Sequence, residues 1–302
     1  MISGVKDPLV SVLVPCYNHE SYVQDCIKSI IDQDYENIEL IVIDEGSKDK
    51  SSLMIEELVS QCEDRFVRFL FKSRPNKGLC ATLNEAVELA SGFFIMPIAS
   101  DDEMYPNKIS EQVRTFNIKS KEEPSLVAIY SGVEYVDELG NSIRVKKGSG
   151  KFCGFKEVIL RNEFLPTPSF MVVKERLIAA GCFNPNYSIE DFYIRLKLTE
   201  NGGLFYVIPS PLVKYRRHDD NLSKKSDLML SGVNDILAEY KGHQIYRKAV
   251  ARSLMIQAHD YQISDVFKGV RYAVRAVKKD SGVIFTKSMF KFLVKIFYKP
   301  KY

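Results

Sequence analysis

The run Ser100-Asp101-Asp102 follows the apolar stretch Phe93-Phe94-Ile95-Met96-Pro97-Ile98. That stretch reads as a buried strand, so two adjacent carboxylates stand at its carboxyl end, where open α/β sheets bind ligands. Neighbouring acids repel unless something compensates them. A hard divalent cation with oxygen ligands does so, and the same cation can neutralise a diphosphate. A second acidic pair, Glu190-Asp191, opens an expected helix. Acids in a first helical turn are favoured by the macrodipole, and either one can also serve as a general base. One acidic site for a metal and another for proton removal suit group transfer from an activated phosphate donor.

Other polar segments also follow expected strands. Pro15-Cys16-Tyr17-Asn18 offers an aromatic ring to stack on a base and an amide to hydrogen-bond it. Asp44-Glu45-Gly46-Ser47 offers acceptors for a base or ribose, with Gly46 allowing close backbone approach. Arg74-Pro75-Asn76-Lys77-Gly78 offers a guanidinium and backbone N–H groups to phosphate ahead of a helix. Each of these also fits an ordinary cap or turn. The late run Tyr215–Ser223 places His218 beside Arg216 and Arg217, where the imidazole can ligate metal or contact phosphate.

The elements that position these groups alternate between strand and helix. Strands are expected at 9–14, 39–43, 66–71 and 93–98, with helices at 19–33, 50–62 and 79–91 between them. This pattern predicts an α/β fold with a mostly parallel nucleotide-binding sheet flanked by helices. Later, a helix is expected at 106–119, a strand at 126–136, a turn at 137–141 and a mobile Gly/Lys-rich loop at 146–151. Short strands are expected at 169–173 and 204–208, and helices dominate from Asp227 onward. A catalytic domain is therefore expected over 1–223, its nucleotide-sugar part about 1–105 and its acceptor part about 106–223. A helical extension follows over 224–302.

Composition is that of a globular chain, 45% hydrophobic and 27% charged over 302 residues. No apolar run is long enough to span a bilayer, and the first residues lack a signal peptide's apolar core. A cytoplasmic location is expected. Six cysteines without C-x-x-C spacing read as free thiols in a reducing compartment. The net charge of +3 is unevenly spread: between 268 and 301, ten Lys/Arg oppose only Asp280. A slightly acidic body with a basic tail argues against nucleic acid as a partner and for an anionic surface at one end.

Taken in order, five segments resemble the inverting family 2 glycosyltransferases. They are Val10–Asn18, the acidic turn Asp44–Ser47, Asn76-Lys77-Gly78, Ser100-Asp101-Asp102 with Pro106, and Glu190-Asp191. The Tyr-Arg-x-His run at 215–218 also resembles a late motif of bacterial members. The resemblance implies the A-type glycosyltransferase fold, a nucleotide-diphosphate sugar donor (often a uridine one) and Mn2+ or Mg2+. It implies that Glu45 faces the base with Tyr17 and Asp44 nearby, that Asp101 is the main metal ligand with His218 close by, and that Asp191 is the base. Pro15, Asn18, Arg74, Gly78, Ser100 and Asp102 complete the expected donor site. Glu190, Thr167 and Ser169 are expected near the acceptor. Two departures stand out: Glu45 and Ala99 occupy places where the family often carries Asp. The chain also has no tryptophan, so the Trp-containing channel motif of processive synthases is absent. Addition of one sugar per encounter is expected.

In the tail, Lys287, Lys291, Lys295 and Lys299 recur every four residues among apolar ones. This fits a helix lying on the inner face of a membrane, the alternative being one packed on the body or on a second subunit. By resemblance to bacterial surface-polysaccharide enzymes, a polyprenyl-linked saccharide is the expected acceptor. A nucleotidyltransferase of similar fold and a non-catalytic nucleotide-sugar-binding or scaffold protein are the rival readings.

Overall fold

The computed structural model describes residues 7–218 and 226–297. The 219–223 part of the late polar run and Lys299 lie outside the described residues. Contacts divide the chain into two units: Met1–Phe155, Glu163–Pro185 and Ile194–His218 in the first, and Lys156–Asn162, Asn186–Tyr193 and Asp219–Tyr302 in the second.

The first unit opens with β1 (Val10–Cys16), α1 (Val23–Ile31), β2 (Ile38–Asp44), α2 (Ser51–Glu56), α3 (Val59–Arg65), β3 (Arg68–Ser73), α4 (Leu79–Leu89) and β4 (Phe94–Pro97). Strands β1, β2 and β4 are nearly continuous apolar runs because both faces of a parallel sheet are covered. The helix expected over 50–62 is two helices, because Leu58 N–H bonds back to Ile55 O and closes a tight turn between them. Pro15 lies within β1 rather than ending it. The strand pairs with β2 as far as Cys16↔Asp44, but with β4 only as far as Leu13↔Pro97. A proline needs no ladder partner, so it fits where the β4 side of the pairing has stopped. The two strands separate there, at the point where the strand order 3-2-1-4 reverses direction, and open a crevice at their carboxyl ends.

The elements that follow up to His218 are β5 (Glu103–Met104), α5 (Lys108–Glu122), β6 (Leu126–Val136), β7 (Ser142–Lys146), β8 (Phe152–Cys153), α6 (Phe155–Ile159), β9 (Met171–Val173), α7 (Lys174–Ala179), α8 (Glu190–Thr199) and β10 (Leu204–Arg216), of which α6 beyond Phe155 and the first turn of α8 group with the second unit. The sheet runs β3-β2-β1-β4-β9-β6-β10-β5, with β7 on β6 and β8 on β10. Pairing is parallel among β1–β4 and between β6 and β10, whereas β9, β5, β7 and β8 join antiparallel. The sheet is thus mixed, with its parallel part where the sequence places it. The strand expected to stop at Ile208 continues to Arg216, its register shifting around Pro211. The stretch expected as a mobile loop at 146–151 is laced to that strand: Gly148 N–H donates to Pro209 O and Gly150 N–H to Val207 O. Gly148 is required there, since a Cβ would lie 2.1 Å from Ile208 O.

The second unit contains α9 (Ser226–Leu237), α10 (Tyr246–Ser264), α11 (Val266–Lys279) and α12 (Lys287–Phe297), with a short 3-10 turn over Ser281–Phe285. It has its own apolar core, including Leu254, Met255, Ala258, Ala273, Met289 and Phe292. Gly269 lets α11 approach α10 closely, because a Cβ there would lie 3.0 Å from Ala258 O.

Candidate active site

Three chain segments meet at the carboxyl ends of the parallel strands. The turn after β1 carries Tyr17, Asn18 and His19, with Asn18 in the left-handed region at φ 55°. The segment after β4 carries Ser100 to Asp102, and the end of β10 carries Arg216 to His218. Antiparallel pairing of Glu103 with Lys214 returns the β10 end to Asp101. Arg216, almost wholly buried, fixes that return. Its backbone N–H donates to Asp102 Oδ1 (2.9 Å), its Nε to Asp101 O (2.9 Å) and its Nη2 to Glu103 Oε1 (2.6 Å). Asp102 is therefore turned inward. Burial, with Asp101 beside it, raises its carboxyl well above the ordinary range.

Asp101 instead meets two histidines. Its Oδ2 lies 2.8 Å from His218 Nε2. One ligand atom from each of His19, Asp101 and His218 lies within 4.8 Å of the others. Asp101 and His218 are 5% and 7% exposed, so these groups are largely withdrawn from water. His19 Nδ1 shares a 2.7 Å hydrogen bond with Ser100 Oγ, giving the buried serine a positioning role. Tyr22 stacks on the His218 ring at 5.6 Å, and the Arg216 guanidinium lies 4.9 Å above the Tyr22 ring. Two imidazole nitrogens and a carboxylate oxygen make a donor set that fits a divalent first-row ion. The sequence places His19 and Tyr22 in an expected helix over 19–33, Tyr22 on its apolar face, and assigns neither a site role. A site role could have been suspected only from their place in and just after the turn that follows β1.

The other residues of the expected donor site divide by role. Tyr17 is 41% exposed, its ring open for stacking. Pro15 is half-buried in β1 beside it. Asn18 Oδ1 accepts from Lys48 N–H, tying the two turns together. Asp44 is buried and braces its own loop, accepting from Gly46 N–H, Ser47 N–H and Ser73 Oγ. Glu45 is buried too. Burial raises its pKa, against a hydrogen bond from Thr82 and the charge of Arg74. Arg74 is committed to Glu85 (2.8 Å), Thr82 (2.6 Å) and Pro75 O (2.9 Å). Gly78 has φ 86° and open space where a Cβ would stand.

Of the residues expected near the acceptor, Thr167 Oγ1 accepts from Arg195 Nη2 at 2.9 Å. Ser169 is buried and structural, its Oγ donating to Pro166 O and accepting from Ser131 N–H. Glu190 and Asp191 occupy the first turn of α8, both half-buried, in the segment that groups with the second unit.

This arrangement is that of the A-type glycosyltransferase fold. The mannosyltransferase PcManGT from Pyrobaculum calidifontis, in complex with GDP-Man and Mn2+, matches with a TM-score of 0.61 at 13% identity, over 98% of this chain and 89% of that one. Staphylococcus aureus TarS in complex with UDP-GlcNAc matches at 0.56 and 14% identity, over 95% and 81%. The glycosyl transferase family 2 model matches residues 11–171, and the chain belongs to that family. An uncharacterized glycosyltransferase of Rickettsia felis is 37% identical over 223 residues, 72% of this chain and 36% of that protein. One of Haemophilus influenzae is 35% identical over 185 residues, 61% and 69% of the two chains. The chain spans less than half the length of the Rickettsia relatives it matches.

Proposed function

We propose that this protein is a metal-dependent inverting glycosyltransferase that moves one sugar from a nucleotide-diphosphate donor to an acceptor hydroxyl. The observation that carries the reading is the His19–Asp101–His218 cluster at the β1/β4 crevice, next to the exposed Tyr17 ring. Asp101, His218 and His19 would hold the cation. A set with two imidazoles favours Mn2+ over Mg2+, which prefers oxygen ligands. Such a cation, when bound, stabilises negative charge on a leaving diphosphate. Tyr17 stacks on the base, and the braced Asp44–Ser47 turn presents its backbone to the nucleoside. Glu45, Asn18, Arg74, Gly78 and Ser100 shape that side.

Asp191 accepts the proton of the attacking hydroxyl while the new C–O bond forms and the bond to the diphosphate breaks, so the anomeric configuration inverts. A carboxylate with a reference pKa of about 3.9 is a weak base for an alcohol, so proton transfer comes late in the step. General-base help is worth about 10²–10⁴ in rate. Glu190 and Thr167 belong to the acceptor side, and the buried Ser169 holds the Thr167 turn from within through its bond to Pro166 O. Complexes of neighbours with GDP-Man and UDP-GlcNAc support a nucleotide-sugar donor, and we take a UDP-sugar as the first candidate. The acceptor we propose is a polyprenyl-linked saccharide at the inner face of the cell membrane, which the basic C-terminal tail approaches, in surface polysaccharide synthesis.

Asp191→Asn tests the base. It is expected to keep donor affinity and lower turnover about 10²–10⁴-fold, read as nucleoside diphosphate released with acceptor present. Normal turnover would refute the assignment. Release of pyrophosphate instead of nucleoside diphosphate would mark a nucleotidyltransferase.

A further inference from the structure

By their four-residue spacing, the tail lysines form one stripe on one helix. In the structure the same pattern occurs twice. On α12, Phe290 and Val294 are exposed, each followed in sequence by an exposed lysine, Lys291 and Lys295. On α11, Val270 and Val274 are exposed, each followed by an exposed arginine, Arg271 and Arg275. At 100° per residue, both helices therefore carry an outward apolar row beside an outward basic row. Their inward faces are separate: Gly269, Ala273 and Ala276 on α11, Met289 and Phe292 on α12. The outward apolar side chains are thus surplus to the unit's own core. Phe267 starts the α11 row at 81% exposure, and the 3-10 turn between the helices exposes Phe285 at 91%.

Charge identifies the occupant. Between Val266 and Phe297 there are eight Lys/Arg and one acid, Asp280. Asp280 is engaged in capping the 3-10 turn through Gly282 N–H. Lys268 pairs with Asp227, but Arg271, Arg275, Lys287, Lys291 and Lys295 have no acidic partner among the described residues. A second copy of this chain would bring the same basic rows against themselves in a two-fold interface. Lysine is also depleted in protein interfaces. An anionic bilayer surface is complementary to each row, with apolar side chains in the interfacial layer and cations at the headgroups.

We propose that α11, the Ser281–Phe285 turn and α12 together form the surface that docks on anionic phospholipid. This rests on the reading that the tail meets a membrane, and adds α11 and the turn to it. The full chain is tested by sedimentation with phosphatidylcholine vesicles, with and without phosphatidylglycerol. Wild type is expected to bind only the anionic vesicles, and less at high salt. The double variant Arg271→Gln/Arg275→Gln is expected to weaken binding about fivefold per cation removed. Phe267→Ser/Val274→Ser is expected to weaken it roughly tenfold or more, with thermal unfolding unchanged because both side chains are exposed. Release by Phe290→Ser/Val294→Ser alone, with both α11 variants binding as wild type, would overturn the proposal and leave the tail reading standing. Failure of wild type to bind would overturn both. Self-association in ultracentrifugation that the α11 variants abolish would assign the face to a second copy and overturn the proposal.

Discussion

His19 and Lys108 illustrate what single residues contribute around the site. His19 supplies the third ligand atom of the cluster, so His19→Ala is expected to lower Mn2+ affinity roughly 10–100-fold without unfolding the protein; calorimetric titration with Mn2+ checks this. Unchanged affinity would remove His19 from the ligand set. Lys108, at the start of α5, is fully buried, and its Nζ has no hydrogen-bond partner among the described residues. Burial pushes its pKa down to about 7, against the pull of Cys26 and Asp102 in the other direction. An unfolded lysine titrates near ~10.4. Between these values the unfolded chain binds more protons, so this group makes stability rise with pH over that window. Lys108→Met is expected to stabilise the fold by about 1–4 kcal/mol near neutrality and to flatten that rise, read from urea unfolding at a series of pH values. The sequence marks Asp101 and His218 plainly, because acids and a His-Arg cluster end apolar runs. It offers little notice of His19 or Lys108: one opens an expected helix over 19–33 with nothing to mark it as a ligand, and the other has a charged side chain at a helix start, a place normally exposed.

At the scale of elements, the site depends on bringing the end of β10 back to the end of β4. The sequence places β1–β4 well, since fully apolar runs between short turns have few alternative readings. It hides the second half of β10, where Pro209 and Pro211 read as a stop. The structure accommodates them through register shifts and through the 146–151 stretch laced alongside. Gly148→Ala is expected to cost about 1–3 kcal/mol, because its Cβ would meet the Ile208 carbonyl at 2.1 Å and backbone must move. Arg216 holds the same return. Arg216→Ala is expected to destabilise by about 1–3 kcal/mol, because the Asp101 carbonyl loses its donor and Glu103 loses one of two cationic partners, keeping Lys214. Chemical denaturation checks both. A cost near zero for Arg216→Ala would mean that β10 reaches Asp101 without this clamp. The resemblance to family 2 enzymes named Asp102 with Asp101 as one acidic pair. The structure separates them, one toward the histidines and one inward to the Arg216 N–H.

At the scale of the molecule, the division of labour follows from composition. A slightly acidic unit built on a mixed sheet carries the His19–Asp101–His218 cluster and the Tyr17 and Asp44–Ser47 turns, and a helical unit carries the basic, outwardly apolar rows. Segment boundaries were the least legible part: 156–162 and 186–193 group with the C-terminal helices, although nothing in their hydrophobic spacing distinguishes them from their neighbours. The claim on which the functional reading depends is that Asp101, His218 and His19 hold a divalent ion needed for sugar transfer. It is tested most directly by measuring nucleoside diphosphate released from a panel of nucleotide sugars, before and after chelation and Mn2+ restoration, for wild type and Asp101→Ala. Wild type is expected to lose activity on chelation and regain it with Mn2+, while Asp101→Ala stays inactive under both conditions. Release that continues at the same rate after chelation, or in Asp101→Ala, would contradict it.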